Sequence, residues 1–278
     1  MARPPPGALP PAIEWIASLA RTVEHATIAF VLRGHVSGAA PLPAAHDLGP
    51  IPPRKDQGQS SSCTAHSLSV AIALACASAG APCVDPSPHV LYSLSGRPVP
   101  LADNGRLLQD VWDAAAAFGL APQKGPAPDG RNSDVTSPVD VPDHVELANV
   151  NVDATDEEIA EAAKCRPKLS LSTINPFAQN VELQVQAALV AGQPLWVSAL
   201  VGGAFQSLTQ GQDAQPASQG PGSGYHALVI AGYRTRNGVV EYRVINSWGE
   251  AWDEQGECWA SGAWLRACAE IHAIGVSA

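Results

Sequence analysis

Four polar side chains stand where they can carry out nucleophilic chemistry: Gln57, Cys63, His226 and Asn246. Cys63 closes the polar run Asp56-Gln57-Gly58-Gln59-Ser60-Ser61-Ser62 and precedes an apolar stretch over residues 68–79. That pattern puts the thiol at the start of a buried helix. Unpaired N–H groups and the positive end of the helix dipole favour a thiolate there. Gln57 lies six residues earlier on the same loop, so its amide can fold back towards an oxyanion beside the sulfur. His226 opens an apolar strand over 225–233, and Asn246 ends the next one, 239–246. Asn237-Gly238 between them is a two-residue hairpin signal. His226 is eleven residues before Asn237 and Asn246 eight after Gly238, so both fall at one end of the ribbon. An imidazole there can take the thiol proton and later protonate a leaving amine. The amide oxygen of Asn246 can accept the other ring N–H and fix the tautomer. Trp248 can cover that hydrogen bond from water. Taken singly, Cys63 reads as a small buried hydrophobe, His226 as a half-buried strand histidine and Asn246-Ser247 as turn chemistry. All four in this order and setting read as a thiol-dependent catalytic set.

Two kinds of scaffold must position these groups. Residues 1–42 read as an N-terminal extension: a proline-rich tail to residue 11, a short amphipathic helix over 12–24 and a strand over 26–32. Residues 35–53 read as a linker crossing a surface. The helix opened by Cys63 stops at Gly80, with Pro82 beyond. Ser87 caps a second helix with Pro88 at its first position. Asp103-Asn104-Gly105 is a turn, and residues 107–116 then show helical spacing up to Gly119. The proline-rich residues 121–143 read as a surface loop and 145–152 as a strand. Thr155-Asp156-Glu157-Glu158 is a capping box for a helix to about residue 165. A strand over 169–174, a helix over 180–191 and a strand over 195–201 follow. Residues 202–224 read as a mobile loop. After the hairpin, 247–256 is a loop and 257–264 the final strand. A helical half followed by a sheet half is an α+β arrangement, and clefts commonly form where such halves meet.

Composition narrows the function. The chain of 278 residues is 46% hydrophobic, enough to bury a sizeable core, and carries a net charge of −10. That balance lacks the basic footprint of a nucleic-acid binder and does not favour anionic membranes. No apolar run reaches bilayer-spanning length. The proline-rich start lacks the apolar core of a secretory signal, so a cytoplasmic location is expected. The six cysteines form no C-x-x-C pair and no tight Cys/His run, which argues against structural zinc. Their spread over a long chain fits a reduced protein with mostly buried thiols. No metal or cofactor is called for. The oligomeric state is not encoded in any motif.

Residues 56–67 resemble the nucleophile motif of the papain family of cysteine peptidases, D-Q-G-x-C-G-S-C-W-A-F-S. Residues 224–233, Gly224-Tyr225-His226-Ala227 onward, resemble that family's histidine strand. Asn246-Ser247-Trp248-Gly249-Glu250-Ala251-Trp252 resembles its N-S-W-G-x-x-W motif, which is highly specific. Residues 85–94 resemble the D-L-S-P-x-x-L-Y helix start of bacterial members. The resemblance covers residues 43–278 as one domain. It implies a papain-like α+β fold of two lobes, a helical left lobe and a β-barrel-like right lobe, with the active cleft between them. It implies peptide-bond hydrolysis through an acyl-enzyme on Cys63, with His226 as general base and acid and Asn246 orienting it. Gln57 and the Cys63 N–H then form the oxyanion hole. Substrate contacts are expected from Asn104 and Gly105, at the family's glycine-rich loop, and from Tyr225 and Trp248. The partner is a peptide or protein substrate. Three residues depart from the pattern: Ser60 replaces a disulfide-bonded cysteine, Thr64 a tryptophan and His66 a phenylalanine. His66, three residues after Cys63, either tunes the thiol or packs. Two other readings stay open from sequence: a catalytically silent homologue that binds a peptide or partner protein, and acyl transfer to an amine.

Overall fold

The computed structural model describes residues 41–49, 54–58, 60–96, 105–123 and 154–277. The expected elements of residues 12–32, the strand over 145–152, most of the 121–143 loop and Asn104 lie outside the described residues.

The helical half is built around α1, Cys63–Ala79, which follows the short strand β1, Ala45–Asp47. Leu68, Ile72 and Leu74 are interleaved with alanines, so α1 is buried on nearly every side rather than along one stripe. It stops at Gly80, whose φ of 61° is a left-handed cap, and the Ala81 N–H returns to Cys76 O. Next, α2, Pro88–Ser95, begins as expected, with the Ser87 hydroxyl accepting from the Val90 N–H. Helix α3, Leu108–Phe118, packs on α2. The capping box of α4, Asp156–Ala162, forms in full. This helix ends earlier than residue 165, and beyond its end Cys165 O accepts from the Leu120 N–H. A Cβ at Gly119 would lie 2.2 Å from Ala162 O, so only glycine allows that approach.

The sheet half contains β2, Lys168–Thr173; α5, Val181–Val190; β3, Leu195–Val201; α6, Gly203–Gln206; β4, Asp213–Ala214; and β5, Gly224–Arg236. It continues with β6, Val239–Ile245; β7, Glu257–Ser261; α7, Gly262–Arg266; and β8, Cys268–Ser277. The described strands form one sheet in the order β2-β8-β3-β5-β6-β7-β4, with β1 added to β5. Asn237 and Gly238 both have positive φ, 52° and 78°, as a tight hairpin between twisted strands requires.

Three parts of the sheet half differ from the sequence expectation. The final strand is β8, not 257–264; the chain leaves β7 at Ser261, makes α7 and returns between β2 and β3. Both faces of β8 are buried, so its sequence shows no inside–outside alternation. Within the expected linker, β1 is three residues long, too short to carry a periodic signal, and pairs with β5 at Tyr233 and Gly232. The expected loop 202–224 contains α6 and β4.

Strand β5 is the wall shared by the two lobes. Ala227, Val229 and Ala231 face a core with α1, Trp196 and Ile245. Leu228 and Ile230 face the other core with Val197, Tyr242, Trp252 and Trp264. Alternation along one strand thereby joins a helical lobe to a sheet lobe. No helix among the described residues is long and apolar enough to cross a membrane.

Candidate active site

Cys63 is the first residue of α1 and is fully buried. It shares a core cluster with Tyr225 and Ala227, the residues on either side of His226. The first turn of α1 is tied to β3: Ser67 Oγ donates to Cys63 O at 2.7 Å and accepts from Trp196 Nε1 at 2.8 Å. The helix N-terminus therefore has little freedom to move relative to the sheet.

His226 sits near the start of β5 and Asn246 directly follows β6. A one-residue irregularity between Ile230 and Gly232 sets Val229 opposite Ile245 at this end. His226 Nε2 lies 2.8 Å from Asn246 Oδ1, and that oxygen also accepts from the Ser247 N–H at 2.8 Å. An oxygen already receiving one donor receives the ring N–H as well, so Nε2 carries the hydrogen. Nδ1 is then the lone-pair nitrogen. It is buried and has no hydrogen-bond partner among the described residues. The Trp248 indole, 4% exposed, stacks on the imidazole with centroids 4.5 Å apart at 25°. Phe205 and Trp252 pack on Trp248 in turn. Burial in this apolar surround pushes the His226 pKa down to about 4, and the Asn246 hydrogen bond acts in the opposite direction.

The segment before Cys63 is laid against the Asn246 segment as a short antiparallel ladder. Gln57 N–H donates to Ser247 O at 2.9 Å, and Gly249 N–H to Lys55 O at 3.2 Å. The Gln57 side chain is held at both ends. Ser247 Oγ donates to its Oε1 at 2.7 Å, and its Nε2 donates to Ser60 O at 2.7 Å. Since a carbonyl can only accept, the amide orientation follows, and the second Nε2 hydrogen has no partner among the described residues. Thus His226, Asn246 and Gln57 are linked through Ser247, and Cys63, six residues after Gln57, shares a core cluster with both chain neighbours of His226.

The expected substrate contacts are less uniform. Gly105 is buried with φ 82°, and its N–H donates to the Tyr92 hydroxyl at 3.2 Å. Tyr225 is half-buried against the helical core. Trp248 lies beneath His226 within the sheet core. Thr64 is fully buried, and its hydroxyl has no partner among the described residues.

Two contributors escaped sequence reading. Ser247 was readable only as turn chemistry, yet it holds Gln57 by both its backbone and its side chain. Lys55, fully buried, bonds Asp85 at 2.7 Å and also Gln123, fastening the base of the nucleophile segment to the approach of α2. No spacing rule singles out that lysine. All six cysteines lie among the described residues and are thiols; Cys83 and Cys165 are half-buried and the other four buried.

The family model described as "Papain family cysteine protease" matches residues 44–268. No curated protein matches the chain. Among solved structures, xylellain, a cysteine protease from Xylella fastidiosa, is similar at 21% identity and TM-score 0.71, over 100% of this chain and 99% of its own. The digestive procathepsin L 3 of Tenebrio molitor is similar at 18% identity and TM-score 0.61, over 90% and 78% of the two chains. A procathepsin B of Trypanosoma congolense is similar at 17% identity and TM-score 0.62, over 98% and 84%. At these identities the structural matches speak for the fold.

Proposed function

As the chain belongs to the papain family of cysteine proteases, we propose that Cys63 is its nucleophile and His226 its general base and acid. Nδ1 of His226 takes the Cys63 proton, and the thiolate attacks the carbonyl carbon of a peptide bond. The oxyanion meets the second Nε2 hydrogen of Gln57 and the Cys63 N–H at the start of α1. The C–N bond then breaks, the imidazolium gives its proton to the leaving amine, and a thioester remains on Cys63. His226 deprotonates a water that attacks the thioester, releasing the acid and the thiol.

The observation that supports this most directly is the 2.8 Å bond from His226 Nε2 to Asn246 Oδ1 in a buried, aromatic-covered site. It fixes the tautomer and leaves Nδ1 as the base. Burial alone opposes the imidazolium, since the ring is pushed down to about 4. The neighbouring thiolate is therefore what makes the protonated ring acceptable, and the two groups exchange one proton as a unit. Asn246 acts as the orienting residue and Trp248 as its cover. Asn104, Gly105 and Tyr225 are assigned to the substrate side of the cleft.

The test is cleavage of a fluorogenic peptide together with labelling by a thiol alkylator. The expected result is stoichiometric labelling of Cys63 ahead of the other five thiols, and no turnover by Cys63→Ala. Turnover that survives Cys63→Ala would overturn the assignment.

A further inference from the structure

The nucleophile loop carries a buried hydrogen-bond network that the steps above leave unused. Ser60, Ser62 and His66 are 1%, 2% and 1% exposed. Ser60 Oγ donates to Gln57 O at 2.7 Å, and the Ser60 N–H reaches the same carbonyl at 3.1 Å. Ser60 Oγ also meets Ser62 Oγ at 2.6 Å. Ser62 Oγ meets His66 Nδ1 at 3.0 Å, and Nδ1 lies 3.0 Å from Ser62 O as well.

The proton directions follow from these contacts. A carbonyl only accepts, so His66 Nδ1 carries a hydrogen, shared between Ser62 O and Ser62 Oγ. The Ser60 hydroxyl hydrogen is committed to Gln57 O, so the Ser62 hydroxyl donates to Ser60 Oγ. The donors run one way, from His66 Nδ1 through Ser62 and Ser60 to the Gln57 carbonyl. Such a chain is polarised along its length and holds its far end more firmly than separate bonds do. Burial first, with the Lys55 charge in the same direction, keeps the His66 ring neutral against the Ser62 backbone bond, and that bond fixes the tautomer.

Two local choices run against stability. Ser62 is the N-cap residue of α1, yet its side chain makes no cap bond to the helix. His66 Nε2 is left as a buried acceptor without a partner among the described residues. Local sacrifices of this kind concentrate at functional sites.

We propose that His66, Ser62 and Ser60 are positioning residues that hold the Gln57 turn, and with it the amide facing the oxyanion. This rests on the assignment of Gln57 made above. The chain acts at the transition state, so it governs kcat and leaves KM alone.

The test is a double-mutant cycle with a fluorogenic peptide, a melting curve and amide hydrogen exchange over residues 57–62. His66→Phe should lower kcat about tenfold with KM unchanged and the melting temperature no lower than wild type. His66→Asn, which keeps a donor at the Nδ1 position, should restore most of kcat. In a Gln57→Ala background the His66→Phe loss should shrink to about twofold or less, since the positioned group is gone. Equal losses in both backgrounds, or a kcat loss that tracks a fall in melting temperature, would overturn the proposal. Exchange over 57–62 should quicken in His66→Phe and Ser62→Ala. Unchanged exchange overturns the proposal whether or not the wild type cleaves. A wild type that neither cleaves nor labels at Cys63 overturns the function and leaves the exchange result to decide the positioning.

Discussion

On the sheet side of the site, His226 lies between the Asn246 amide and the Trp248 indole, with Phe205 and Trp252 behind. On the loop side, Gln57 and Cys63 are held by hydroxyls, carbonyls and one imidazole, with the Trp196 N–H as the aromatic contribution. Packing of large rings surrounds the proposed base, whereas a directed hydrogen-bond chain leads to the turn that carries the proposed oxyanion amide. The difference follows from backbone geometry. A strand delivers alternate side chains to a preformed apolar layer, so covering His226 needs only apolar residues in register. A loop feeding a helix N-terminus has unpaired N–H and C=O groups that must be satisfied before it can be buried. Short serine side chains meet that need where bulky rings cannot.

The comparison predicts that damage on the sheet side is felt first in chemistry. His226→Ala removes the proposed base. It should lower kcat on a fluorogenic peptide by about 10³-fold or more, in line with loss of general acid–base catalysis. The melting temperature should move far less, because Asn246 Oδ1 keeps its Ser247 N–H. A loss under about tenfold would mean that another group accepts the thiol proton, and the sheet side would no longer be the chemical half.

Both sides contain a buried histidine whose pKa is depressed mainly by burial: His226 to about 4 and His66 to about 3, from an ordinary 6.5. The sign is the same for both. Above pH 6.5 the folded and unfolded chains are alike neutral at these sites. Below it the unfolded chain binds protons that the folded chain refuses, so stability falls until pH passes the folded values. Each histidine contributes a slope of about 1.4 kcal/mol per pH unit. Urea midpoints of Cys63→Ala, in which no thiolate favours the imidazolium, should therefore hold above pH 7 and decline from 6 to 5. Adding His66→Phe should remove the loop-side share of that slope and leave the sheet-side share. An unchanged slope would mean that His66 is not held neutral in the folded chain.

How much of this was legible in the sequence follows the same divide between local and non-local chemistry. Signals carried by a few neighbouring residues were readable: Ser87 with Pro88, the Thr155–Glu158 capping box, Gly80 as a stop and Asn237-Gly238 as a turn. Each is settled by bonds within its own segment. Strands β1 and β8 were not readable, because one is too short and the other buried on both faces, so only their partners define them. The hairpin put His226 and Asn246 at one end of the ribbon, but the irregularity at Ile230 that sets the register carries no sequence mark. The loop side was least legible. His66 stood out as a departure, yet nothing local says that its Nδ1 feeds Ser62 and, beyond it, Gln57. The Ser247 hydroxyl on Gln57 joins residues 190 positions apart.

That last contact is where the two halves touch, and it sets the smallest of the expected effects. Ser247 Oγ anchors Gln57 Oε1 from the sheet side, while Ser60 O anchors Gln57 Nε2 from the loop side. Ser247→Ala removes the first anchor and leaves the Gln57 N–H to Ser247 O bond untouched, since that one is backbone. One neutral hydrogen bond is worth about 1 kcal/mol net, which is about fivefold in rate. Ser247→Ala should therefore lower kcat about fivefold with KM unchanged, read by initial rates on the same peptide. If the two anchors share one task, combining Ser247→Ala with His66→Phe should cost more than the product of the single losses, because the amide then keeps only the Ser60 O bond, on a turn whose supporting chain is cut at His66. A product of independent losses would mean that the loop-side chain and the sheet-side hydroxyl hold different things, and that the sheet side alone orients the oxyanion amide.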